Sequence, residues 1–326
     1  MDDVITVFGG SGFVGRHVVR ALAKRGKRVR VAMRRPHLGQ DLRVAGDVGQ
    51  IQLVQANVRF PDSIDRALED ATGVVNLVGV MHDQGAQNFR AMHVDAAEAI
   101  AKAAAARGLT RMAHISALGA APKGARYAKT KYAGEQAVRA ALPSATVLRP
   151  SIIFGPEDSF FNRFASMARF SSYVPLGALP LIGGGKTKFQ PIYVGDVADA
   201  VCAALDNDAA RGQTYELGGP RTYTFKELMQ FVVTETERRV PLVPIPFFVA
   251  GPLGMLLEWG FKLNPLMDAP LTGDQVALLR RDNIVSADAH TIEHLGVTQL
   301  ESVESIVPTY LWRFRPYGQF QTKQSA

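Results

Sequence analysis

Val4-Ile5-Thr6-Val7-Phe8-Gly9-Gly10-Ser11-Gly12-Phe13-Val14-Gly15-Arg16 is the stretch that decides how this 326-residue chain folds. A β-branched run ends at Gly9, glycines recur at 9, 12 and 15, and apolar residues then fall at helical spacing through Val18, Val19, Leu22 and Ala23. That order predicts a strand, a tight turn and a helix. Gly9 and Gly12 permit the turn and let backbone N–H groups approach a pyrophosphate, while Gly15 lets the helix pack closely on the strand. The helix then meets the phosphates with the positive end of its dipole. Gly9, Gly10, Ser11, Gly12, Phe13, Val14 and Gly15 are therefore a candidate dinucleotide cradle, because the strand before and the helix after supply the context the glycines need.

Strand and helix signals alternate beyond this point. Strands are expected near 4–8, 28–33, 51–56, 73–78, 111–116 and 145–149, with helices at about 14–26, 61–70, 88–107 and 125–141. Such alternation specifies an α/β fold, a doubly wound parallel sheet of the Rossmann type. After Pro150 the elements shorten and Pro, Gly and aromatic residues become frequent. Residues 1–150 are thus expected to form the dinucleotide-binding domain, with 189–206 returning to it. Residues 151–188 and 207–326 are expected to form a smaller, irregular C-terminal region for docking or for a substrate.

Composition narrows the class. With 47% hydrophobic residues the chain can bury one large core or two unequal ones. The single cysteine, Cys202, excludes an internal disulfide and a cysteine-based zinc site, and its helical surroundings mark it as a small buried hydrophobe. A formal charge of +7 calls for an anionic ligand or surface, yet the basic residues are dispersed, with short clusters at Lys24–Arg35 and Arg313–Arg315, so no nucleic-acid partner is expected. The first strand begins at Val4, which leaves the start without a signal or transit pattern and predicts a protein that stays where it is made. The apolar window Val240–Phe261 could span a bilayer by length alone, but it contains Pro241, Pro244, Pro246, Pro252 and Glu258. It is expected to form a strand and then a hydrophobic helix, Phe247–Phe261, docked on protein or lying at a membrane surface.

The second strand bears on the choice of cofactor. Arg34 and Arg35 follow Val29-Arg30-Val31-Ala32-Met33, and no carboxylate stands there to hold a ribose 2′-OH. Missing acid and paired bases favour NADP(H), whose 2′-phosphate the arginines can grip. Tyr127-Ala128-Lys129-Thr130-Lys131 then places Tyr127 and Lys131 on one face of a helix, where an ammonium beside a phenol stabilises the phenolate and makes it an acid/base. Together with the strand ending in Ser116, these residues resemble the extended, atypical branch of the short-chain dehydrogenase/reductase superfamily. The resemblance implies that Tyr127 is the acid/base, that Lys131 also binds the nicotinamide ribose, and that Ser116 orients a substrate carbonyl. The chain departs from that pattern at Leu118, where a catalytic hydroxyl is expected, so Ser116 and the pair are expected to be catalytically vestigial. Asn57 stands where the family often has Asp near the adenine, and His93 where an Asn commonly supports the site. Val58, Val78, Gly79, Pro150 and Ile153 join the cofactor contacts that the resemblance implies.

The second half narrows the likeness. Arg149-Pro150-Ser151-Ile152-Ile153-Phe154-Gly155-Pro156-Glu157-Asp158, the following Phe160 to Ala165, Val174-Pro175-Leu176 and Phe189-Gln190-Pro191-Ile192-Tyr193-Val194-Gly195-Asp196 resemble the nucleotide-binding accessory subunits of respiratory complex I. The resemblance runs from about Val4 to Tyr310 and implies tightly held NADPH in a structural role, other subunits of complex I as partners, and a bacterial version bound peripherally at the cytoplasmic face of the inner membrane. A free NADPH-dependent reductase, epimerase or dehydratase using Tyr127 and Lys131 is the alternative. Two further motifs carry no site: Gly183-Gly184-Gly185-Lys186-Thr187 lacks the P-loop glycine at Pro180 and a buried strand before it, and the HxxEH pattern of His290, Glu293 and His294 lacks a third ligand, so no metal is expected.

Overall fold

The computed structural model describes residues 3–81, 83, 85–174, 177–252 and 273–320. Its first half alternates β1 (Val4–Phe8), α1 (Phe13–Lys24), β2 (Arg28–Met33), β3 (Ile51–Gln55), α2 (Pro61–Ala67), β4 (Gly73–Asn76), α3 (Ala96–Ala106), β5 (Met112–Ile115), α4 (Arg126–Ala141) and β6 (Thr146–Pro150). All six strands and all four helices expected from the pattern are present. Two more strands, Thr214–Leu217 and His290–Thr291, complete an eight-stranded sheet. From one edge the order is 290–291, 214–217, β6, β5, β4, β1, β2, β3, and every pair is parallel. The order reverses beside β1, which sets the glycine turn at the switch point of the sheet, where α/β folds bind ligands.

Both faces of the sheet are covered, as an all-parallel sheet requires. On one face Phe8, Val74 and Met112 bury against Ile64, Leu68, Ile100, Ala101, Ala104 and Val138 from α2, α3 and α4. The alanine-rich face of α3 contributes little side-chain bulk and so lets that helix lie close to its neighbours. A helix at Val194–Asp206 returns to pack on α1, and Cys202 is 1% exposed within it, a small buried hydrophobe. Ion pairs of Lys27 and Arg111 with Asp3 and Asp206 tie together the edge where β1 starts and this returning helix ends.

The chain divides into two compact units: residues 1–151, 194–218 and 285–300 in the first, and 152–193, 219–284 and 301–326 in the second. The return to the first unit therefore starts at Val194 rather than 189 and runs past 206, because Thr214–Leu217 hydrogen-bonds along β6 and His290–Thr291 along it in turn. The second unit is held by an aromatic core of Phe154, Phe161, Phe189, Tyr223 and Phe225, into which the C-terminal turns insert Val307, Tyr310 and Leu311. Asp158 of the Gly-Pro-Glu-Asp segment is buried there, accepting from the Phe161 N–H at 2.6 Å and from the Tyr310 hydroxyl.

One expectation for the second half changes. Leu179–Ile182 is a buried strand directly before Gly183, where no buried strand was expected. Among the described residues it pairs with Leu242–Ile245 alone, so the N–H that Pro180 lacks is not needed on its other side. A strand at Lys188–Phe189, not a helix, follows the glycines, so the phosphate-cradling geometry of a P-loop is absent there. In the apolar window the strand Leu242–Ile245 forms and residues 247–252 are helical, while 253–261 lies outside the described residues. Among the described residues no helix is long and apolar enough to cross a membrane.

Candidate functional site

The glycine turn has one conformation that the sequence permits. Gly9 has φ of +82°, a backbone that side-chain-bearing residues avoid, and its carbonyl accepts from the Gly12 N–H at 3.0 Å to close the turn. A Cβ on Gly15 would lie 2.3 Å from the Gly9 carbonyl oxygen, and one on Gly10 would lie 2.8 Å from Val31 Cγ1. Gly12 differs, since a Cβ there would meet only the Gly9 oxygen at 3.3 Å and otherwise faces outward. No side chain caps α1 and no acidic residue lies in its first turn. An open, uncapped helix start behind a tight glycine turn fits a pyrophosphate.

Arg34 and Arg35 extend from the end of β2, exposed, and among the described residues neither has a carboxylate partner. Asn57 instead looks to its own loop: its N–H donates to Ser63 Oγ at 2.7 Å and its Oδ1 accepts from the Arg59 N–H at 3.2 Å. Val58 and Val78 are partly buried against the core of the first unit. Pro150, at the end of β6, accepts the Leu118 N–H at 2.8 Å. Ile153 lies in the second unit, paired with Ile192.

Tyr127 and Lys131 share the inner face of α4, with the ammonium 6.0 Å from the phenol ring centroid. Lys131 is 6% exposed and donates to the Ile115 carbonyl at 3.3 Å. Burial brings this ammonium down to about 8 and pushes the Tyr127 hydroxyl up to about 12. The expected stabilisation of the phenolate is therefore outweighed by desolvation, and at neutral pH Tyr127 stands as a protonated acid.

His93 completes this corner. It sits in a widened helical turn, Ala91–Asp95, whose extra residue re-aims the side chain inward. Its Nδ1 is 3.0 Å from Thr130 Oγ1, its Nε2 is 3.0 Å from the Val80 carbonyl oxygen, and its ring stacks edge-on against Tyr127 at 5.4 Å. Burial, with Lys131 nearby, holds its pKa down at about 3, so the ring is neutral. Gly134 makes the packing possible, because a Cβ there would lie 2.0 Å from the His93 carbonyl oxygen. Gly79 likewise leaves room, its missing Cβ being 3.2 Å from Lys131 Nζ.

Ser116 is not part of this corner. Its hydroxyl donates to Glu135 Oε1, and Glu135, 1% exposed, also receives Arg149 at 2.9 and 2.6 Å. A buried carboxylate needs such partners, and here the serine hydroxyl is one of them. Leu118 buries its side chain and offers no replacement hydroxyl. Glu135, Arg149 and His114 were not singled out from the sequence. The one signal for Glu135 was its place one turn beyond Lys131 on the same inward face of the helix. At the pattern HxxEH, His294 Nδ1 accepts from the Thr291 N–H at 3.0 Å and serves as a turn cap.

Comparison with known proteins bears on the family and the fold. Residues 5–218 match the model of the NAD dependent epimerase/dehydratase family. The chain is 35% identical over 317 residues to the protein named NADH dehydrogenase [ubiquinone] 1 alpha subcomplex subunit 9, mitochondrial, of Rattus norvegicus, covering 95% of this chain and 81% of that one. The protein of the same name from Arabidopsis thaliana is 36% identical over 303 residues, covering 90% and 74%. In fold, the chain is similar to the dTDP-glucose 4,6-dehydratase DesIV of Streptomyces venezuelae, solved with NAD bound, at a TM-score of 0.70 and 18% identity over 95% of this chain and 96% of that one.

Proposed function

This chain belongs to the NAD dependent epimerase/dehydratase family, and on that premise we propose that it is an accessory subunit of the peripheral arm of respiratory complex I, the NADH:quinone oxidoreductase, holding NADP(H) as a structural ligand. The observation that carries the reading is its likeness to complex I subunits along 95% of its length, well beyond the cofactor-binding half. The site supports a binding role. The turn at Gly9–Gly15 is built for a pyrophosphate, Arg34 and Arg35 are available to a 2′-phosphate, and Tyr127 and Lys131 line the nicotinamide end. When bound, the nicotinamide would supply hydride chemistry, but the serine that would orient a substrate is committed to Glu135.

In this reading the protein is peripheral, at the cytoplasmic face of a bacterial inner membrane, with other complex I subunits as partners. Phe248, 77% exposed, and its neighbours Val243 and Val249 support docking through the 240–261 segment, against protein or the membrane surface. Native electrophoresis of gently extracted membranes, probed for this chain, tests the assignment. Migration with NADH:quinone oxidoreductase activity is expected, and migration alone in the soluble fraction would refute it.

A free NADPH-dependent reductase, epimerase or dehydratase is the second reading, favoured by the retained Tyr127 and Lys131 pair and the protonated phenol. Steady NADPH consumption with ketones, aldehydes or nucleotide sugars, lost in Tyr127→Phe, would establish it.

A further inference from the structure

Asn76 and His114 face each other on β4 and β5 and are 0% and 2% exposed. Asn76 Oδ1 accepts from the Val78 N–H at 3.0 Å, which turns its amide nitrogen toward His114 Nδ1 at 3.1 Å. Nδ1 is thus the acceptor, and the neutral ring carries its proton on Nε2. That Nε2 finds no acceptor among the described residues. Buried donors of this kind are satisfied in native interiors, by ordered water where no protein atom serves.

Lys131 reaches the same end of β5. It donates to the carbonyl of Ile115, the residue after His114, and it overlies Gly79, three residues past Asn76. Its charge and His93 are both near enough to disfavour protonation of His114. Among the described residues the ammonium meets one acceptor for its three N–H groups, so it too has donor capacity left over near β5.

We infer that one ordered water sits between His114 Nε2 and Lys131 Nζ, accepting from each, and that His114 is through it a positioning residue for the lysine of the site. The groups facing Lys131 are then His93 from the turn 91–95, His114 from β5, and Tyr127 and Glu135 from α4, and the water is the acceptor that helps hold the ammonium charged. The inference rests on the proposed function only in treating Lys131 as a site residue, and its test needs no cofactor.

A high-resolution crystal structure of the full cofactor-free chain should show a peak about 2.7–3.2 Å from both nitrogens. In parallel, the Lys131 side chain is titrated by NMR in the parent, His114→Phe and His114→Gln. Loss of the water in His114→Phe should lower the midpoint by about one pH unit, a tenfold change in the ratio of charged to neutral lysine. His114→Gln keeps a donor and should restore most of it. A crystal structure with Nε2 on a protein carbonyl, a dry wall, or density that refines as an anion would overturn the inference. So would an unmoved Lys131 midpoint in a folded His114→Phe protein, and if that variant does not fold, the parent crystal structure decides.

Discussion

The phosphate end and the reaction end of the site differ in what this sequence keeps. At Gly9–Gly15 the chain keeps a tight glycine turn and an uncapped helix start, down to a Gly15 that cannot carry even a methyl group. At the other end Tyr127 and Lys131 remain, but Ser116 completes a buried carboxylate network and Leu118 is apolar. Binding a nucleotide requires backbone shape, whereas turning over a substrate requires an additional hydroxyl aimed at it. The first can persist when the second is lost, and the contrast makes separate demands on mutants.

The largest effects belong to the phosphate end. Gly12→Asp places a carboxylate where the cradle opens while its Cβ meets only the Gly9 oxygen at 3.3 Å. Cofactor affinity should fall more than a hundredfold, about 2.7 kcal/mol or more, with the melting temperature of the cofactor-free protein nearly unchanged. Gly15→Ala should lose both binding and stability, since the methyl would collide with the Gly9 carbonyl and Gly10 backbone. Calorimetric titration beside thermal melts separates the two, and equal melts with equal binding would break the comparison. If the ligand is structural, Gly12→Asp should also release the subunit from complex I on native gels, because ligand binding stabilises the folded state by mass action.

Arg34→Ala should weaken NADPH roughly ten- to a hundredfold through loss of about 1.5–3 kcal/mol of charge-assisted hydrogen bonding, and NADH far less. Equal affinity of the parent for both cofactors would remove the premise.

At the reaction end the expected effects concern stability. His93 and His114 both have folded pKa values lowered to about 3 by burial, below the ordinary value of 6.5. Between those values the unfolded chain binds more protons, so the stability is complete above pH 6.5 and declines as pH falls toward 3. The slope is about 1.4 kcal/mol per pH unit for each histidine, measurable by urea unfolding at pH 7 and pH 5. A flat profile would mean that the rings are not held neutral. Ser116→Ala should cost about 1.5–3 kcal/mol in the same assay, leaving cofactor affinity unchanged, because its hydroxyl serves Glu135. Tyr127→Phe should do least, leaving cofactor binding and NADH:quinone activity of the complex as they are.

Much of the fold was legible because alternation at periods of 2 and 3.6 is a local property: a residue's turn, strand or helix preference is written within a few positions of it. Thus β1, the glycine turn, α1 and the Tyr127–Lys131 face of α4 follow from the residues in order. Leu179–Ile182 did not, since Pro180 argues against a strand unless one knows that among the described residues it pairs on one side, with Leu242–Ile245. Thr214–Leu217 and His290–Thr291 are too short to announce themselves; the first becomes a strand on the open edge of β6, and the second on the edge that the first then offers.

In the site the same division holds. Chain order alone sets the glycine turn, the paired arginines after β2 and the helical face that carries Tyr127 and Lys131, because each depends on neighbours in the chain. Packing between distant segments settled that Ser116 turns to Glu135 and Arg149, that desolvation overrides the lysine's pull on the phenol, and that buried His114 Nε2 has no partner among the described residues. Those outcomes depend on which groups from distant segments share a buried space, and on the cost of charge there, neither of which is carried by spacing along one strand or helix.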